Sequence, residues 1–192
     1  MENNFSSDII SMIFKKKNLL LILFIFTNFF MFSKDIPHGY RGVLLGMSFD
    51  EVKEELLEDS TFGYHGDRDV SLVPGGNKVL IETDTETGYG STFLKRCWFQ
   101  FFDDELYIIT ININPDKMDY YSIFTKLSEK YGKPDSFNPK SATWKYDNFS
   151  MSLEKPLTLK YIDHDILKKT QNYNNIEASP EEKTREMFLD EL

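Results

Sequence analysis

The chain has 192 residues, 41% hydrophobic and 28% charged, with 31 acidic against 22 basic side chains and a net charge of −9. That acid surplus argues against nucleic acid, whose binding is dominated by phosphate neutralisation, and against an anionic membrane surface. Cys97 is the single cysteine, so an intrachain disulfide is excluded and the core itself must supply the stability.

Lys15, Lys16 and Lys17 precede an apolar run from Leu19 to Phe32, interrupted only by Thr27 and Asn28. As a helix the run rises roughly 21 Å, short of a hydrocarbon core of ~30 Å. A positive flank and this length are the marks of a secretory signal peptide. Ser33 is small enough to end a cleavage site, although Met31 departs from the small-x-small rule. Met12 would open such a peptide more ordinarily than Met1. Left uncleaved, residues 19–32 become an anchor in the inner membrane. In both cases the lysines stay on the cytoplasmic side, and the rest of the chain is exported to the periplasm or cell envelope. No cysteine lies near the end of the run, so a lipidated N-terminus there is excluded. The expected organisation is a signal or anchor over 1–33, one domain over 34–165, and a polar linker with an acidic terminal helix over 166–192.

In chain order, "YRGVLLG" reads as a short strand that breaks at Gly46. Ser48 and Glu51 form a capping box, and Phe49, Val52 and Leu56 give the following helix one apolar face. Two short strands flank Pro74-Gly75-Gly76-Asn77, and "TDTETGYGS" reads as an acidic loop. The strongest β pattern is "CWFQFFDDELYIITINI". Cys97, Phe99 and Phe101 alternate with Arg96, Trp98, Gln100 and Phe102, Asp103-Asp104 turns, and Tyr107, Ile109, Ile111 and Ile113 are expected on one face of the return strand. A second helix is expected with Asn114 as N-cap and Pro115 at its first position. Tyr120, Phe124, Leu127 and Tyr131 form its buried face, and Gly132 and Pro134 end it. Three strands fit "SATWKYD", "FSMSLEK" and "LTLKYID". After Asp163 the periodicity stops. Ser179, Pro180 and Glu182 then mark a terminal helix with a narrow stripe of Met187, Phe188 and Leu192. Strands outnumber helices and hairpin links dominate, so the predicted class is α+β with an antiparallel sheet and two main helices. The helix-then-strands order, occurring twice, suggests an internal duplication.

Leu44, Gly46, Met47, Ser48, Glu51 and Val52, with Trp98, Phe102, Leu106 and Ile109 downstream, carry a family resemblance. Over residues 42–162 the chain resembles the small periplasmic modules of the BamE (SmpA/OmlA) and β-lactamase-inhibitor-protein-like group. The resemblance implies a non-catalytic role: scaffolding in outer-membrane protein assembly, or gripping another protein with a sheet face. BamE proteins carry a lipid-modified cysteine that is absent here, and this chain has a second helix-and-strands half. The tandem inhibitor-like architecture is therefore the nearer analogy.

Signatures of catalysis are sparse. His38, His65 and His164 share no zinc-ligand spacing. His164 between Asp163 and Asp165 could serve as a general base, but a solvated strand end explains it more simply. Glu82, Asp84 and Glu86 alternate like the opening of a calcium loop. Phe93, however, stands where the twelfth-position acid belongs, which favours an exposed acidic loop. "GYGS" lacks the context of a nucleotide site, and no G-x-S-x-G, P-loop or H-E-x-x-H occurs. Cys97 reads as a small core residue, because alternation sends Arg96 to the opposite face. No metal or cofactor is expected. What remains is aromatic surface. Trp98 and Phe102 on one hairpin face, Trp144 and Tyr146 on a later strand, and Phe188 and Leu192 at the terminus are the candidates for contact with another envelope protein. Against this, both tryptophans could be core. The alternatives are a membrane-anchored accessory subunit and an enzyme whose site is assembled from distant residues.

Overall fold

The computed structural model describes residues 36–73, 77–85, 91–177 and 188–189. The chain divides into two units, residues 1–34 and 35–192, and every described residue lies in the second. The apolar run of 19–32 and its cleavage site lie outside the described residues, as do the Pro74-Gly75-Gly76 turn, Glu86 and the expected start of the terminal helix at Ser179. Among the described residues no helix is long and apolar enough to cross a membrane.

The fold is α+β, as the sequence predicts. A tight hairpin of β1 (Gly39–Tyr40) and β2 (Val43–Leu44) leads into helix α1 (Phe49–Glu58). A Cβ on Gly39 would meet the Val43 carbonyl oxygen at 2.1 Å, so only glycine fits there. Strands β3 (Val70–Val73), β4 (Lys78–Asp84), β5 (Leu94–Phe102) and β6 (Glu105–Ile113) follow as a meander. Helix α2 (Tyr120–Tyr131) precedes a second meander of β7 (Ser136–Phe137), β8 (Ser141–Tyr146), β9 (Phe149–Glu154) and β10 (Thr158–Asp163). Helix α3 (His164–Glu177) comes last. The large sheet is antiparallel with order β3-β4-β5-β6-β10-β9-β8-β7. Each half is thus one helix plus four strands, and the halves join through their last strands.

Period-2 alternation decides the two faces of the sheet. Trp144, Met151, Tyr161, Ile109, Phe99, Ile81 and Val70 are register partners in one row across seven strands. Six of them are buried in the main core and Val70 packs against it at the edge, with α1 contributing Val52 and Leu56 and α2 packing Tyr120, Phe124, Leu127 and Tyr131 onto it. The capping box of α1 forms as expected: Glu51 N–H donates to the Ser48 hydroxyl, and Ser48 N–H donates to the Glu51 carboxylate. A third anchor comes from the β5–β6 turn. Asp103 and Asp104 both have positive φ, at 49° and 65°, as a two-residue turn of primed type requires. The Asp104 carboxylate then accepts from Phe49 N–H at 3.0 Å, so the hairpin tip holds the first turn of α1.

Four expectations need correction. Tyr107 does not share a face with Ile109, because the register slips between Gln100 and Phe101 and leaves Tyr107 as the extra residue of a β-bulge. The core face of β6 is therefore Leu106, Ile109, Ile111 and Ile113, while Tyr107 and Ile108 point the other way into a second cluster with Phe102 and Ile166. The N-cap of α2 is Asp119, which accepts from Ser122 N–H; Asn114 instead closes a local turn by accepting from Asp116 N–H. The stretch expected to be a linker after residue 165 is helical to Glu177. Its polar sequence hides a helix because few of its described side chains, Ile166 and Thr170 among them, are buried, while Asp163 caps it by accepting from the Asp165 and Ile166 amides. Trp144 is fully buried core, with its indole N–H donating to the Gly132 carbonyl at 2.8 Å.

Two tests follow from this packing. Leu56, 1% exposed between α1 and the sheet, should cost about 2–5 kcal/mol when replaced by alanine, read from the urea midpoint. Asp59 carries the second. Burial alone would raise the pKa of its carboxyl, but hydrogen bonds from Thr61 and pairing with Arg41 outweigh that and lower it below the usual carboxylate value. Its stabilising contribution is present above the unfolded pKa of ~3.9 and is lost as pH falls through the lower folded pKa. Asp59→Asn should therefore be less stable than the parent at pH 7, and the gap should close as pH falls below that range, measured as urea midpoints across pH.

Candidate interaction surface on the open face of the sheet

The face away from α1 and α2 is built from the polar half of each strand's alternation. Its central row of register partners runs Thr143, Ser152, Lys160, Thr110, Trp98 and Glu82 from β8 to β4. A flanking row runs Ser141, Glu154, Thr158, Asn112, Arg96 and Asp84. These rows contain one aromatic side chain, Trp98, partly exposed in the middle of hydroxyls and charges. Among the described residues no helix covers it.

Helix α3 covers the neighbouring corner of the same face. It begins over β9, where His164 Nε2 lies 2.8 Å from the Ser150 hydroxyl, and ends its packing over β5, where the Tyr173 ring meets Phe102 edge-on at 5.5 Å. Ile166 fills the space between, against Tyr107 and Ile108. Burial, opposed by a hydrogen bond with Thr170, raises the Tyr107 pKa. Beside this covered corner lies an open hollow of about 450 Å³ whose lining includes Lys78, Leu80, Trp98, Gln100, Tyr107 and Thr110. Tyr107 serves both: its hydroxyl donates to Gln100 at 3.5 Å within the hollow, and its body packs in the cluster beneath α3.

The sequence-based candidates separate cleanly on this frame. Trp98 lies on the open face, as alternation requires. Phe102 shares that face but is only 4% exposed beneath α3, so it is structural rather than a free contact. Trp144 is in the core. Tyr146 is 42% exposed, at the far end of β8 near His38, whose ring stacks on Phe149. Phe188 is exposed, and Leu192 lies outside the described residues. Lys78, Gln100, Thr110 and Lys160 complete the surface without any sequence signal beyond their polar phase within strands.

The alternating acids have a structural explanation. Arg96 pairs with Glu82 at 3.1 Å and with Asp84 at 3.5 Å across β4 and β5, so these carboxylates lie in a strand and not in a loop. Among the described residues no group of three or more His, Cys, Asp or Glu side chains could hold a metal ion. His164 starts α3 and Asp163 caps it, which accounts for the Asp-His-Asp sequence without chemistry.

Residues 38–173 match the family described as the TP0088 domain. The chain belongs to the TP0088 domain family. No curated protein and no solved structure matches it. The TP0088 domain ends at Tyr173, the residue that seats α3 on Phe102, so the first turns of α3 are part of the domain and the open face is bounded within it.

Cys97, central in the TP0088 domain, is fully buried, and burial pushes its thiol up to about 12 against a weaker opposing hydrogen bond with Thr83. A thiolate is the reactive form. Native protein at pH 8 should therefore label with iodoacetamide only as fast as it unfolds, and urea should make labelling rapid. Fast labelling of the native state would contradict this burial.

Proposed function

We propose that this chain is an exported, non-catalytic binding or scaffold protein of the bacterial cell envelope, gripping another protein with the open face of its sheet around Trp98. The observation that carries the reading is a partly exposed tryptophan in the polar central row of a sheet face, beside the corner that α3 covers. Tryptophan concentrates binding energy at interfaces, and a polar surround keeps such a face soluble when free. The tandem helix-plus-four-strand halves support the analogy with the β-lactamase-inhibitor-protein-like group, in which a sheet face does the gripping. The signal-like run of 19–32 supports export to the periplasm or envelope; if uncleaved, it makes the chain an anchored accessory subunit presenting the same face.

Site-specific photo-crosslinking in the native cells tests this. A photoreactive residue at position 110 or 160 should capture the same protein, while one at position 121, on the exposed side of α2, should not. Trp98→Ala should weaken that complex by about 2 kcal/mol or more, roughly thirtyfold, with a smaller change in urea midpoint than Leu56→Ala. Identical crosslinks from all three positions, or none from the sheet face, would overturn the reading.

A further inference from the structure

Helix α3 is held firmly at its start and lightly beyond it. At the start, Asp163 accepts from the Asp165 and Ile166 amides, and His164 Nε2 lies 2.8 Å from the Ser150 hydroxyl. Ile166 is buried there in the cluster with Phe102, Tyr107 and Ile108. Between Leu167 and Tyr173 only Thr170 is buried. Leu167 and Tyr173 are partly buried, and Lys168, Lys169, Gln171 and Asn172 are exposed. The Thr170 hydroxyl donates to the Ile166 carbonyl at 3.0 Å, a back-bond that weakens a helix slightly. Thr170, Asn172, Asn174 and Asn175 are poor helix formers, and the last turn holds no basic residue to meet the negative end of the helix dipole. A stretch with so little intrinsic support stays helical only while its narrow stripe remains seated on the sheet.

What this stretch covers adjoins the hollow. The Tyr173 ring meets Phe102 edge-on at 5.5 Å, and Thr170 hydrogen-bonds Tyr107. Phe102 is the register partner of Lys78, and Lys78, Trp98 and Tyr107 all line the hollow. Lifting the stretch therefore enlarges the hollow without moving a strand. We propose that Leu167–Tyr173 is a lid hinged on the first turn of α3. It unrolls locally and uncovers Phe102 and Tyr107, which join Trp98 as one aromatic surface for the protein partner. Local openings of this kind belong to elements with little buried apolar surface. The inference rests on the open-face reading above and adds its regulation: only molecules with the lid open are fully competent, so apparent affinity falls with the open fraction.

Native-state hydrogen exchange on the full chain, followed amide by amide, tests the lid. Amides of residues 167–173 should exchange together through one opening that low urea leaves unchanged. Their protection should be at least about a hundredfold below that of β6 and β10, whose amides wait for global unfolding. Asn172 is exposed, so Asn172→Ala changes little but helix propensity and should make the opening roughly threefold rarer. Tyr173→Ala should make it commoner. Photo-crosslinking from position 110 should follow suit, with the apparent affinity of the captured partner roughly threefold weaker in Asn172→Ala and stronger in Tyr173→Ala. Exchange of 167–173 with the same urea dependence as β6 and β10, or as a steady gradient toward the C-terminus, would overturn the lid and leave the open-face reading untouched. So would capture that ignores both substitutions. If the exchange result holds and no variant captures a partner, the open-face reading falls, and the lid's role in partner binding falls with it.

Discussion

The antiparallel pairing of β6 with β10 is the constraint on which the rest of this structure depends. Each half of the chain is a helix followed by a four-strand meander, and a meander alone leaves its last strand as an edge. Pairing Thr158 to Ile162 with Asn112 to Ile108 removes both inner edges at once and makes one sheet of eight strands. Because the pairing fixes register as well as order, it also fixes which side chains share a face. A slip of one residue would carry Tyr161 and Leu159 out of the core and bring Lys160 in. The continuous core row from Trp144 to Val70 exists only because this central register is correct. The polar row through Lys160, Thr110 and Trp98 is its unavoidable counterpart on the other face.

The β-bulge at Tyr107 is the second determinant. Without it the β6 strand would alternate evenly, and Tyr107 would enter the helix-covered core. The slip instead turns Tyr107 and Ile108 outward beside Phe102, creating an apolar corner on a face that is otherwise polar. Such a corner must be covered, and α3 covers it directly after β10 with no loop between them. The same bulge that calls for α3 therefore sets the boundary of the open surface, and Tyr107 forms the wall between the two. Bulges re-aim side chains next to functional surfaces often enough that this one marks where to look.

How much of this was legible in the sequence depends on which residues are asked. Ser48 and Glu51 announced the start of α1 because a capping box is local chemistry, complete within four residues. The β5–β6 hairpin was legible because Cys97, Phe99 and Phe101 keep strict phase. The bulge was not, since a one-residue slip leaves "LYIITINI" looking like an uninterrupted alternation. Asn114-Pro115 offered as good a helix start as Asp119, and only the packing of Tyr120 and Phe124 on the sheet selects the later one. Helix α3 was missed for a different reason. Its sequence is polar throughout because it buries only a narrow stripe, and tertiary contact with Phe102 and Tyr107 supplies what periodicity lacks. Trp98 and Phe102 were equivalent as sequence, two aromatics in the same phase of one strand. What separates a covered aromatic from an available one is the position of α3, which no local pattern encodes.

That difference also bears on how a face of this kind works. A sheet surface with many apolar side chains binds tightly but associates with itself, whereas one with none has no anchor. The rows around Trp98 are Ser, Thr, Asn and charged residues, several already satisfied internally: Thr158 donates to Asn112 at 2.8 Å, Ser152 donates to Glu154 at 2.9 Å, and Arg96 is held by Glu82 and Asp84. Groups that keep their hydrogen bonds when water leaves lose little on desolvation. On the proposed reading, the energy of association is then concentrated in Trp98 and the hollow beside it, while the ordered surround provides shape. Concentration at one ring makes the surface easy to block with a short segment.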